Sequence, residues 1–160
     1  MESIHPIVRA VIIKDNNILL SSATPKNDRF SNEFKFLPGG HVEYLETSSE
    51  ALKRELYEET TGLGKIEVME LLGILECTWD NKGTPYHEIN IVYRVEFETM
   101  CELIQSNEEH IEFKWYRLDL LNDLKILPGS LAELIPLWLS SNEKNNILAS
   151  EMNSIQTDLL

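Results

Sequence analysis

Along much of this chain apolar and polar positions alternate with the two-residue period of a strand, and one central stretch switches to the period of a helix. Residues 7–13, IVRAVII, are rich in β-branched side chains and predict a buried strand. Asp15-Asn16-Asn17 predicts a turn, and residues 18–22, ILLSS, the returning strand of a hairpin. Residues 23–33 are polar, contain Pro25 and predict a loop. Phe34 to Leu37 predicts a short strand that delivers the chain to Pro38-Gly39-Gly40. Helical spacing then takes over. Ala51, Leu52 and Leu56 form one apolar stripe, Thr47 and Glu50 have capping-box spacing, and Gly62 predicts the stop. Residues 66–79, with Gly73 as a bulge or bend, and 86–97, alternating over Ile89, Ile91, Tyr93, Val95 and Phe97, predict a hairpin about the turn Asp80 to Gly83. Residues 103–110 predict a polar loop, 111–118 a last strand, and 118–121 a short helical turn. A final helix is expected at about 130–139, kinked or ended by Pro136. Residues 141–160, rich in Asn and Ser, predict a frayed tail or a loosely docked helix. This order of elements suits an α+β sandwich, with one domain over residues 1–140 and the tail over 141–160.

Composition narrows the function classes. The 160 residues carry 14 Lys and Arg against 27 Asp and Glu, a net charge of −13. That argues against binding a nucleic acid backbone, and any phosphate-bearing substrate would need a cation or local basic residues to offset repulsion. Cys77 and Cys101 match no metal spacing and read as core thiols of a reducing, cytoplasmic setting. No run approaches the roughly 20 apolar residues of a membrane span, and the N-terminus lacks the apolar core of a signal peptide.

The chemistry gathers on the central helix. Glu55, Glu58 and Glu59 fall within a turn and a half, and like charges three or four apart on a helix repel. A cation between them explains the arrangement, and hard oxygen ligands suit Mg2+ or Mn2+. A solvated acidic face is the alternative reading of the trio alone. Arg54 stands four residues from both Glu50 and Glu58 and can bridge acids along one side.

The wider pattern favours the cation. Gly40, five residues, Glu46, seven residues, then Arg54-Glu55-Leu56-Tyr57-Glu58-Glu59 resembles the Nudix box. Two departures stand out. Thr61 is inserted before Gly62-Leu63, which predicts a helix one residue longer, and Leu45 occupies a position where relatives carry Gly. The resemblance implies a Nudix-type α/β/α sandwich with a mixed sheet. It also implies Mg2+- or Mn2+-dependent hydrolysis of a small nucleoside diphosphate derivative. It carries over Glu55, Glu58 and Glu59 as metal ligands, with a backbone carbonyl of Gly39 or Gly40 in the metal shell, Glu58 and Arg54 in the catalytic group, and Glu46 and Glu43 orienting the loop. A further acid before the last strand is expected as general base. Glu108, Glu109 and Glu112 are candidates, with His110 between them, and Glu109 is favoured because it sits at the loop end. Lys26, Arg29, His87 and Glu88 are candidate substrate contacts, each also explicable as a solvated surface residue. The marks of the ADP-ribose and coenzyme A subfamilies are missing, which leaves nucleoside triphosphates, nucleotide sugars and related diphosphates open. The oligomeric state is open as well, between a monomer and a homodimer. The competing class is an inactive Nudix-fold module that senses a nucleotide.

Overall fold

The first strand, β1 (Ile4–Val11), lies at the centre of the molecule because its side chains feed two cores. Val8 and Ala10 pack on one side with Ala51, Leu52 and Leu56 of the central helix, α1 (Ser48–Glu59). Val11 packs on the other with Leu131, Ile135 and Trp138 of the late helix, α2 (Leu131–Ser140). The two-residue alternation of a strand therefore appears here as a sheet with a helix on each face. Each fully buried Leu on these faces contributes roughly 1.5–3 kcal/mol. The computed structural model describes residues 3–25, 31–81, 83–140 and 148–156.

The remaining strands are β2 (Ile13–Lys14), β3 (Asn17–Ala23), β4 (Phe34–Phe36), β5 (Gly39–His41), β6 (Thr60–Leu63), β7 (Ile66–Asn81), β8 (Thr84–Phe97), β9 (Met100–Ser106), β10 (Ile111–Arg117), β11 (Lys125–Leu127) and β12 (Leu148–Gln156). A 3-10 turn covers Leu118–Asp123. One mixed sheet has the order β12-β7-β8-β1-β5, a second has β10-β3-β4-β11 with β2 paired to β3, and β6 pairs β9 alone. The molecule is of the α+β class.

Several expectations are met in detail. Thr47 and Glu50 form the capping box of α1. β7 and β8 form the long hairpin, and its register shifts between Leu71 and Gly73. Gly73 is also where α2 docks, because a Cβ there would stand 2.3 Å from the Trp138 ring.

Others need correction. The early hairpin is confined to β2 and β3, with Asp15 and Asn16 both at positive φ as a two-residue turn requires. β1 itself crosses to the other sheet and runs parallel to β8. Residues 103–106, expected in the loop 103–110, instead belong to β9, because their polar pattern is that of a strand whose partner is the short β6. α1 is not lengthened by the inserted residue. It ends at Glu59, and the insertion is absorbed as an irregularity in β6, where Gly62 has φ +98° and a Cβ would meet the Leu103 carbonyl at 2.8 Å. Pro136 does not end α2, which continues to Ser140. Residues 148–156 are neither frayed nor helical but add a parallel strand to β7, while 141–147 lie outside the described residues. Cys77 is buried as expected, whereas Cys101 is exposed.

Candidate active site

The site is built where β5 crosses β1. Gly39 pairs with Arg9 and Gly40 with Val8. Only glycine fits at Gly39, since its φ is +138° and a Cβ would collide with the Val8 carbonyl. At Gly40 a Cβ would stand 2.4–2.6 Å from the Glu55 carboxyl group, so that carboxylate rests directly on the glycine backbone.

The loop from His41 to Thr47 is held by Arg54. Its Nε and one terminal nitrogen donate to the two oxygens of Glu46, each at 2.9 Å, and the same terminal nitrogen donates to the His41 carbonyl at 3.1 Å. The other terminal nitrogen donates to Glu55 at 2.9 Å and Glu58 at 3.4 Å. These bonds keep the guanidinium firmly charged and hold the Glu46 carboxyl below the usual carboxylate range. Leu45 has a left-handed backbone, with φ +66°, and 88% of its surface is exposed.

Beyond α1, Asn107 locks the next segment in place. Its backbone N–H donates to the Glu59 carbonyl and its side-chain amide to the Glu58 carbonyl, each at 2.8 Å. The helix end, which otherwise leaves carbonyls unpaired, thereby fixes the position of Glu108.

These pieces surround one cavity of about 550 Å³. From the α1 side it is lined by Gly39, Gly40, Glu55 and Glu59, and from the neighbouring loop by Glu108 and His110. From the β1, β7 and β8 side come Arg9, Cys77, Trp79, Tyr86 and Glu88. The Glu59 carboxyl is pushed up to about 7, chiefly by burial and then by the Glu55 and Glu108 charges, while the Gly39 N–H and Arg9 oppose the shift. Glu108 pairs with His110 Nε2 at 3.0 Å. Burial pushes the Cys77 thiol up to about 12.

The sequence candidates divide as follows. Glu55, Glu59, Gly39, Gly40 and Glu88 line the cavity. Glu58 does not; its side chain is 62% exposed and accepts from Arg54. Among the described residues no three His, Cys, Asp or Glu side chains stand close enough to form a ready metal cage, so the expected convergence of all three glutamates is not seen. Arg54 lies outside the cavity lining and organises the loop, with Glu46 as its partner. Glu109 is also outside the lining. Glu108 takes that place, because Asn107, anchored on the end of α1, holds the residue that follows it at the cavity. His87 does not line the cavity either, since alternation along β8 turns it away from the face that bears Glu88. Lys26 and Arg29 lie outside the described residues.

Sequence reasoning missed Arg9, Asn90, Trp79 and Asn107. Two of these had a signal: Arg9 and Asn90 are polar residues inside otherwise apolar strand patterns, where such residues are depleted. Asn90 is fully buried and accepts from Arg9 Nε at 3.2 Å.

A mixed sheet between two helices, with a glycine turn and a glutamate-bearing helix at one cavity, defines a family architecture. The family model described as NUDIX domain matches residues 4–138, and the chain belongs to that family. An ADP-ribose pyrophosphatase of Methanocaldococcus jannaschii is 42% identical over 93 residues, covering 56% of this chain and 50% of that protein. The chain thus matches about half the length of that relative. The MutT protein of Methanosarcina mazei Go1 superposes with a TM-score of 0.66 at 22% identity, covering 89% of this chain and 98% of the other. The E. coli ORF135 protein does so with 0.63 at 21% identity, covering 90% and 96%. These two likenesses establish the fold alone.

Proposed function

We propose that this chain hydrolyses a diphosphate linkage in a nucleoside diphosphate that carries a further group. The observation behind this reading is that Glu55 and Glu59 of the matched motif share one cavity with Gly39, Gly40, Arg9 and Glu108. The identity to an ADP-ribose pyrophosphatase supports ADP-ribose as one member of the substrate panel, beside nucleoside triphosphates and nucleotide sugars.

The donor set suits Mg2+ or Mn2+. It consists of hard oxygens, the carboxylates of Glu55 and Glu59 and the backbone carbonyl of Gly40. Burial beside two other carboxylates leaves Glu59 short of positive charge, which a cation would supply. When bound, such an ion neutralises phosphate oxygens and lowers the pKa of water. Glu58 is the third acid of the motif, and its bond to Arg54 is an alternative to metal binding.

The other roles belong to the chain. Arg9 is the arginine on the cavity wall and orients the diphosphate by charge-assisted hydrogen bonds. Glu108, braced by His110, accepts the proton of the attacking water. Arg54 is a positioning residue, fixing Glu55 and the loop through Glu46.

The test is a panel of nucleoside diphosphate derivatives assayed with Mg2+ or Mn2+ for release of monophosphate, phosphate or pyrophosphate. Wild-type protein is expected to turn over at least one. Glu59→Gln should lower kcat by about 100-fold or more, the scale of a lost electrostatic group at the reacting centre. Nucleotide binding with no turnover across the panel would instead mark a sensing module and overturn the hydrolase reading.

A further inference from the structure

The diphosphate chemistry uses the α1 side of the cavity and leaves the β7–β8 side without a role. That wall carries Glu88, a carboxylate only 8% exposed that lines the cavity. Trp79 Nε1 donates to Glu88 Oε1 at 3.0 Å, and Asn90 Nδ2 donates to Oε2 at 3.2 Å. Asn90 is itself oriented by Arg9, whose Nε donates to its Oδ1. The chain Arg9 to Asn90 to Glu88, closed by Trp79, directs its donors toward one carboxylate. A carboxylate has about four acceptor sites, so each oxygen of Glu88 retains capacity after these bonds. Buried acceptor capacity beside a cavity calls for a donor from the ligand.

The rings beside it supply the other half of a recognition surface. Trp79 and Tyr86 line the same cavity with centroids 4.8 Å apart and planes tilted by 36°, and His5 stacks on Tyr86 at 4.1 Å and 13°. Two aromatic rings tilted by 36° to each other, beside a fixed acceptor, offer ring surface and a hydrogen-bond partner to a planar heterocycle that bears N–H donors.

We propose that Glu88 determines which nucleobase this protein accepts: the base lies against Trp79 and Tyr86 and donates an amino N–H to Glu88. The ligand class is a nucleotide with an amino-bearing base (adenine, cytosine or guanine) in preference to the analogue in which that amino group is absent or replaced by a carbonyl. This rests on the reading that the cavity takes a nucleotide, but not on the hydrolysis itself. A site built around a hydrogen bond rejects the analogue that lacks it far more strongly than an apolar pocket rejects a change of shape.

The experiment measures binding without divalent metal, by titration calorimetry and by Trp fluorescence. It uses the pairs AMP and IMP, CMP and UMP, and GMP and IMP. Wild-type protein is expected to bind the amino-bearing member of at least one pair tenfold or more tightly. Glu88→Gln, which keeps the shape and replaces one acceptor by a donor, should bring that ratio to within about threefold. An unchanged melting transition would show that the fold is retained. Trp79→Phe keeps a ring and removes the N–H that fixes Glu88, and should reduce the ratio less than Glu88→Gln does.

Ratios within threefold for every pair in wild-type protein, or a ratio that survives Glu88→Gln, would overturn the proposal. So would no detectable nucleotide binding, or discrimination that follows the 2′-hydroxyl in deoxynucleotide controls, which would assign Glu88 to the sugar. Discrimination by a protein that hydrolyses nothing would keep this inference and remove the hydrolase reading. Hydrolysis without discrimination would do the reverse.

Discussion

Leu45 and Gly73 are opposite cases of a residue meeting its surroundings. Leu45 holds φ +66° with its side chain in solvent, so nothing offsets a left-handed backbone that disfavours a β-carbon by roughly 1–2 kcal/mol. Leu45→Gly relieves that strain but adds freedom to the unfolded chain, worth about 0.5–1 kcal/mol in the other direction. The expected net effect is a gain of up to about 1.5 kcal/mol, read as a higher urea midpoint at unchanged slope. A lower midpoint would mean that Leu45 makes a contact that its exposure conceals. Gly73, by contrast, has no room for any side chain, because the Trp138 ring occupies the position of a Cβ. Gly73→Ala should destabilise by about 1–3 kcal/mol, the range for overpacking a core. Adding Trp138→Leu should recover part of that loss in a double-mutant cycle, and strict additivity would deny the contact. The two thiols offer a further residue-scale check. Cys101 is exposed, whereas Cys77 is buried and its thiol pushed up to about 12. A maleimide should label one thiol in native protein and two after denaturation.

At the level of elements, α1 is secured at both ends by groups outside its own backbone ladder. At its start, the Thr47 side chain accepts from the Glu50 N–H while Glu50 reaches back to the Thr47 N–H. Thr47→Ala should cost about 1 kcal/mol, measured by chemical denaturation. At its end, Asn107 binds the last carbonyls and sets Glu108 beside Glu59. Asn107→Ala should therefore cost stability of similar size and also lower kcat, because Glu108 loses its anchor. Equal loss of stability from the two substitutions with loss of turnover only in Asn107→Ala is the expected signature. Turnover unaffected by Asn107→Ala would deny Glu108 a part in the chemistry.

Across the whole molecule, β12 closes one edge of the sheet that contains β1 by pairing in parallel with β7. Glu151 accepts from the Ser130 N–H at 2.8 Å and so ties that strand to the start of α2. A chain stopped after Ser140 would expose the β7 edge and leave that N–H without its partner. It should melt several degrees lower, at roughly 2–4 °C per kcal/mol for a chain of this size. It should also aggregate more readily. A melting point equal to that of the full chain would reduce β12 to a passive appendage. Among the described residues no helix is long and apolar enough to cross a membrane.

What could be read from sequence was local in origin. The capping box, the apolar stripe of α1 and the bulge at Gly73 follow from residues whose spacing determines what they can touch, and each is present. The glycine turn with Glu55 and Glu59 was legible for the same reason, because the motif is continuous in the chain. The tertiary structure decided whatever depends on a partner far away in sequence. Residues 100–106 and 148–156 become strands only because β6 and β7 present edges to them. Glu108 rather than Glu109 enters the cavity because Asn107 grips the end of a helix nearly fifty residues earlier. Arg9, Asn90, Glu88 and Trp79 join into one polar chain because parallel pairing sets β1 beside β8, with β7 on its far side. Helical spacing puts Glu58 next to Glu55, but its side chain stands exposed beside Arg54, outside the cavity lining. Sequence period assigns a side chain to a face, and only packing determines what that face meets.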